Sequence, residues 1–315
     1  MAHEIENMFS VKETPWHGLG TVIQDAPSIQ QILELAGLNW KVELKPLYLG
    51  DGKEVTQKAI VRDTDQSVLG FVGKRYRPLQ NQEALDFFKV FHNSGAASFE
   101  TAGSLRGGQK IWIMARLESQ EMEIVKGDTV RKYLMLSNGH DGVTGIRVGF
   151  TPVRVVCANT LAMAHNDKTS KLIRVFHSKK VVENLELLKD TINLANQSFE
   201  ATAEQYRQLA KRQVNRGDLE AYVTQVFYNG KAAETDREKL ARETLNREIE
   251  RLFETGHGND MAGVRGTVWA LYNGVTQYLS YESGRTQDSR MDSLWFGDAK
   301  GTNETALEAA LELAA

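Results

Sequence analysis

Residues able to do covalent chemistry are few, and their spacing does not suit it. Cys157 is the single cysteine and would need His140 or His165 folded against it to act as a nucleophile. Its setting, Val155-Val156-Cys157-Ala158, is that of a small buried apolar residue. His165 and His177 are twelve positions apart on different expected elements, and Cys157 has no cysteine partner, so no zinc pattern forms. Glu248 with Glu250, and Glu308 with Glu312, fall on expected exposed helix faces, where carboxylates solvate the surface. Gly103-Ser-Leu-Arg-Gly-Gly-Gln-Lys110 lacks the Walker spacing and the hydroxyl after its lysine. It reads as a glycine-rich connection into a strand. The three spaced glycines of a dinucleotide-binding turn are also missing. The residues therefore point to a non-enzymatic protein with no metal and no cofactor.

Charge carries more information. The formal net charge is −3, which argues against a protein that coats nucleic acid with its whole surface. Yet residues 131–180 hold nine cations, Arg131, Lys132, Arg147, Arg154, Lys168, Lys171, Arg174, Lys179 and Lys180, against only Asp141 and Asp167. A second basic knot, Lys74-Arg75-Tyr76-Arg77, interleaves an aromatic with cations, the composition that single-strand binders use to neutralise phosphates while stacking bases. Cations on alternating strand positions would also suit a solvated sheet face, but such a face ordinarily mixes both signs. The candidate nucleic-acid contacts are Lys74, Arg75, Tyr76, Arg77, Arg147, Arg154, Lys171, Arg174, Lys179 and Lys180. Trp16-His17-Gly18-Leu19-Gly20-Thr21 is the densest unusual motif. Trp16, His17, Gly18 and Gly20 either pin an N-terminal arm into a neighbouring core or hold a partner.

The elements that must position these residues follow from hydrophobic period and turn signals. Ser28 precedes Ile29, Ile32, Leu33 and Leu35, a short amphipathic helix with Ser28 as its N-cap. Residues 40–61 read as a hairpin turning at Gly50-Asp-Gly, and Ser67 to Val72 as another strand. Leu79 to Phe91 reads as one helix, closed by Asn93-Ser-Gly. Four strands are expected at 98–102, 109–117, 133–137 and 145–156, then a short helix at 159–165 and a strand at 172–177. From 179 to 212 a long charged helical pattern runs without Gly or Pro. Helices follow at 219–227, 237–253 and 264–281, with Asp218 and Asp260 as candidate N-caps, and at 305–315. The expected class is α+β: a mainly antiparallel curved sheet with a few helices over 1–178, then a helical region over 179–315, either separate or packed on the sheet.

A length of 315 residues suggests about two domains at roughly 150 residues each, and 41% apolar content suits a globular chain. No apolar run approaches the ~18 residues of a membrane span. The acidic N-terminus lacks a signal-peptide pattern, so no membrane association is expected.

Three ordered motifs carry a family resemblance: Pro15-Trp-His-Gly-Leu-Gly-Thr21, Gly70-Phe-Val-Gly-Lys-Arg-Tyr-Arg-Pro-Leu-Gln80 and Phe150-Thr-Pro-Val-Arg-Val-Val-Cys-Ala-Asn-Thr-Leu161. With them the chain resembles the phage/plasmid-like proteins named for their Leu-Gly-Thr motif, also catalogued as domain of unknown function 932. The resemblance spans roughly residues 8–300. It implies a bacteriophage or plasmid origin and a bacterial host cytoplasm, and it brings no established activity or catalytic residue. Phage proteins of this size are often single-strand annealing proteins with a curved sheet backed by a long helix, an analogy of fold alone. The expectation is a homo-oligomeric mobile-element protein that binds single-stranded nucleic acid in recombination or replication. Its rival is an interaction protein that inhibits a host defence factor through its acidic helices.

Overall fold

A computed structural model describes residues 5–12, 20–154, 171–194, 196–284, 293–294 and 296–315. Trp16, His17 and Gly18, together with Cys157, His165 and the helix expected at 159–165, lie outside the described residues. The architecture is α+β, with open sheets and a few helices first and helices afterwards. The first part runs β1 (Ile5–Val11), β2 (Thr21–Ile23), α1 (Ile29–Leu35), β3 (Val42–Tyr48), β4 (Glu54–Arg62), β5 (Val68–Val72), α2 (Asn81–Asp86), α3 (Lys89–Asn93), β6 (Ala97–Leu105), β7 (Lys110–Val125), β8 (Asp128–Gly139), β9 (Ile146–Arg154) and β10 (Lys171–Val175). The helical part comprises α4 (Val181–Leu194), α5 (Asn196–Lys211), α6 (Arg216–Tyr228), α7 (Asp236–Thr255), α8 (Val268–Tyr281) and α9 (Asp298–Ala314).

One sheet has the order β10-β9-β8-β7-β6-β1-β2, and β3-β4-β5 form a second. Pairing is antiparallel at β1–β6, β6–β7, β9–β10, β3–β4 and β4–β5, and parallel at β1–β2. The chain packs as two compact units. The first comprises Met1–Ser119, Tyr133–Phe150 and Lys171–Asn196; the second comprises Gln120–Lys132, Thr151–Ser170 and Gln197–Ala315. Helix α4 thus belongs with the sheets, and the tip of the β7–β8 hairpin belongs with the later helices.

In the first unit, alternating strand residues such as Ile60, Leu69, Val72, Ile111, Ile113, Leu134 and Leu136 meet Ile32, Leu85, Phe88, Val181 and Leu185 from helices α1, α2 and α4 and the α2–α3 junction, in one buried core. Helix α1 starts where expected because Gln31 Oε1 accepts from the Ser28 backbone N–H at 3.1 Å and from its hydroxyl at 2.8 Å. The single helix expected over 79–91 is two short ones. The amides of Phe88 and Phe91 reach back only three residues, to Leu85 and Phe88, and this tighter winding turns Phe87, Phe88 and Phe91 all into the core. Strands β7 and β8 outrun their expected ends and meet around Gly127 (φ +85°), a left-handed position that glycine fills without strain.

In the second unit, α8 is buried on nearly every side, although it carries Asn273, Thr276, Gln277 and Ser280. Its own backbone absorbs most of them. Asn273 Nδ2 donates to the Trp269 carbonyl at 2.7 Å, and the Thr276 and Ser280 hydroxyls donate to the carbonyls of Asn273 and Thr276 at 2.9 and 2.7 Å. Two expected caps move. Asn215 caps α6, with Asp218 at the third helical position returning a bond to the Asn215 amide at 3.1 Å. Thr267, rather than Asp260, caps α8.

Candidate functional site

The two basic segments, about a hundred residues apart in sequence, meet in the first unit. The loop after β5 carries Lys74, Arg75, Tyr76 and Arg77; the stretch after β10 carries Phe176, His177, Ser178, Lys179 and Lys180. The Arg77 amide donates to the His177 carbonyl at 3.4 Å, and His177 Nδ1–H donates to the Arg77 carbonyl at 3.3 Å. Arg77 Nη1 adds a bond to the Lys179 carbonyl at 3.3 Å, and the Tyr76 and His177 rings stack at 4.6 Å. This clasp uses backbone groups and rings, and it leaves the ammonium groups of Lys74, Lys179 and Lys180 and the guanidinium of Arg75 outside.

Strand pairing adds three more cations. Arg147 on β9 stands directly opposite Arg174 on β10, and the Arg174 guanidinium lies 5.2 Å from the ring centre of Phe176. Lys171 opens β10 opposite Phe150. Among the described residues, Lys74, Arg75, Arg174, Lys179 and Lys180 are exposed and have no carboxylate within ion-pair distance. Arg77 shares Glu83 at 3.0 Å.

The β8–β9 turn forms the floor of this surface. Asp141 organises it by accepting from the amides of Val143 and Thr144 at 2.9 and 2.7 Å and from the Thr144 hydroxyl at 2.6 Å. The turn is wedged between both neighbours. A Cβ on Gly70 of β5 would sit 2.3 Å from the Asp141 carbonyl oxygen, and one on Gly145 would sit 3.0 Å from Arg174 Nε. Beneath it His140 is fully buried beside the Trp40 ring, at 5.3 Å. Asn81 Nδ2 donates to the carbonyls of Leu38 and Trp40, so Asn81 Oδ1 is left to accept from His140 Nε2–H at 3.0 Å. Burial first, and the neighbouring His177 second, push the His140 imidazole down to about 3. Burial likewise lowers His177, against backbone contacts that favour its charged form.

Two of the expected contact residues are redirected. Tyr76 is no platform for a base: its ring is stacked on His177, its hydroxyl donates to the Gly139 carbonyl at 3.3 Å, and burial raises its pKa above the ordinary tyrosine range. Arg154 is 1% exposed and lies in the second unit. It forms a forked pair with the fully buried Asp128 at 2.7–2.9 Å, donates to the carbonyls of His257 and Gly258 at 3.1 Å, and lies over the Trp269 ring. Trp269 Nε1–H donates to Asp128 as well, at 2.8 Å. Arg154 is therefore a core cation and no part of the surface. Lys132, counted in the same basic window, is also buried. Of the N-terminal motif, Gly20 is described: its positive φ and the closeness of Met8, 2.5 Å from an added Cβ, fit a packing role.

Phe176 is an aromatic that the sequence already puts beside the basic strand, whereas Phe71 and Val143 carry no signal in sequence. Phe71, Val143 and Phe176 are 61%, 82% and 67% exposed. Phe71 and Val143 adjoin each other's turns, since a Cβ on Gly142 would sit 2.5 Å from the Phe71 carbonyl oxygen. In an alternating strand such residues look like any other core candidates.

The structure is that of an α+β protein with an exposed group of cations on its first unit and, among the described residues, no group of acidic, histidine or cysteine side chains able to hold a metal. Residues 68–295 match the family described as Domain of unknown function (DUF932), and the chain belongs to that family. No curated protein and no solved structure matches it. No helix among the described residues is long and apolar enough to cross a membrane.

Proposed function

We propose that this protein binds single-stranded nucleic acid through the cationic surface of its first unit, by electrostatic capture and without covalent chemistry. The supporting observation is the clasp between residues 76–77 and 177–179, which presents Lys74, Arg75, Lys179 and Lys180 from two distant segments on one structure. Arg174 and Arg147 extend it along the β9–β10 pair. Phosphates would be held by exposed Lys and Arg, releasing the counterions condensed on the strand. In this reading the protein is a homo-oligomer of a mobile element, acting in the cytoplasm of a bacterial host and bringing strands together in recombination or replication. Filter binding of the full chain to a single-stranded oligodeoxynucleotide at low salt should give saturable retention. Absence of retention at low salt would overturn the proposal.

A further inference from the structure

We infer that Phe71, Val143 and Phe176 are the base-contacting residues of this surface, so that its ligand is a strand whose bases are unpaired and accessible. The inference rests on the proposed nucleic-acid reading and deepens it. A monomer ordinarily scatters its exposed apolar side chains; grouped ones mark contact sites. Here each is tied to the same seven-residue turn, 139–145. The Phe71 backbone carbonyl lies against Gly142 while its side chain is exposed, Val143 is an exposed residue of the turn itself, and Phe176 follows the strand whose Arg174 packs against Gly145 and precedes the His177 clasp. Cations frame the turn: Lys74 and Arg75 on the β5 side, and Arg174, Lys179 and Lys180 on the β10 side.

That pattern selects the occupant. An apolar docking site for a protein is usually ringed by mixed polar groups, whereas cations around exposed aromatic rings match a polymer with a regular anionic backbone and flat apolar units beside it. Aromatic faces accept every base, so the contact is sequence-tolerant. Duplex DNA keeps its base faces covered and offers only phosphates. The Arg174 guanidinium already backs one side of the Phe176 ring at 5.2 Å, which holds the ring in place and leaves its other face for a base.

The test compares oligodeoxythymidine, an abasic strand of equal length and poly-glutamate, each titrated against the full chain at one salt concentration. Wild-type protein should bind oligodeoxythymidine about tenfold or more tightly than the abasic strand, the scale of a single stacked base. Phe71→Ala with Phe176→Ala should bring oligodeoxythymidine down to the abasic level and leave abasic binding unchanged, since both side chains are exposed and the fold does not depend on them. Phe71→Trp with Phe176→Trp should restore the preference and show indole fluorescence quenching on titration. Equal binding of the two strands by wild-type protein, or an alanine pair indistinguishable from wild type, would overturn base contact while leaving phosphate capture standing. Poly-glutamate binding as tight as oligodeoxythymidine would overturn it in favour of an acidic protein partner. Failure of both strands to bind would sink the underlying reading as well.

Discussion

Asp128 and Arg154 are both fully buried, and the pair is joined by forked hydrogen bonds with Trp269 completing the carboxylate's shell. Removing one partner strands the other charge in the core. Arg154→Met should therefore lower stability by about 3–5 kcal/mol, read by denaturant unfolding, while the folded fraction keeps wild-type affinity for a single strand. A variant that stayed stable but lost binding would return Arg154 to the surface role its sequence context suggests. His140 and His177 make a second residue-scale prediction. Burial disfavours the charged form of both, bringing His140 down to about 3 from the free value of 6.5 and lowering His177. Below about pH 6.5 the unfolded chain takes up protons that the folded chain refuses, so their contribution is complete above that pH. It is lost as pH falls toward 3, by an amount on the order of a few kcal/mol. Denaturant titrations at neutral pH and at pH near 4 should show this loss, and His140→Gln should flatten it.

At the scale of elements, the β8–β9 turn is held by backbone proximity, so small changes on its neighbours should move it. Gly70→Ala places a methyl 2.3 Å from the Asp141 carbonyl; backbone has little room to yield, and a loss of about 1–3 kcal/mol is expected. An unchanged melting temperature would show that β5 and the turn are independent. The ease of reading each element from sequence follows the same physics. Helix α1 and the β3–β4 hairpin were legible because a local cap and a Gly50-Asp-Gly turn specify them. The α2–α3 break was not, because Phe87, Phe88 and Phe91 satisfy helical spacing and only tertiary burial of all three tightens the winding. The outer half of β7 carries Glu118, Glu121 and Glu123, and that of β8 carries Asp128 and Arg131, charges that hide a strand unless its partner is known. At the site, the cations of residues 74–77 and 174–180 were legible from composition. The clasp that joins them was not, since it is made by backbone carbonyls and stacked rings. Nor was the burial of Arg154 and Tyr76, which depends on what folds over them.

For the whole molecule, a net charge of −3 supplies no general attraction to a polyanion, so any binding must come from the local cluster and must be sensitive to salt. Five exposed cations of the cluster, Lys74, Arg75, Arg174, Lys179 and Lys180, have no carboxylate within ion-pair distance among the described residues and set its size. At about 0.7 counterions released per phosphate on a single strand, five contacts give a slope near −3 to −4 in log affinity against log salt. The most direct measurement is that slope for the full chain, together with Arg75→Glu, Lys180→Glu and the two combined. Each reversal should weaken binding and make the slope shallower by about 0.7 or more, and the pair should do so cumulatively if both segments contact one strand. A salt-independent affinity, or a slope that only one of the two segments alters, would contradict the claim that they form a single binding surface.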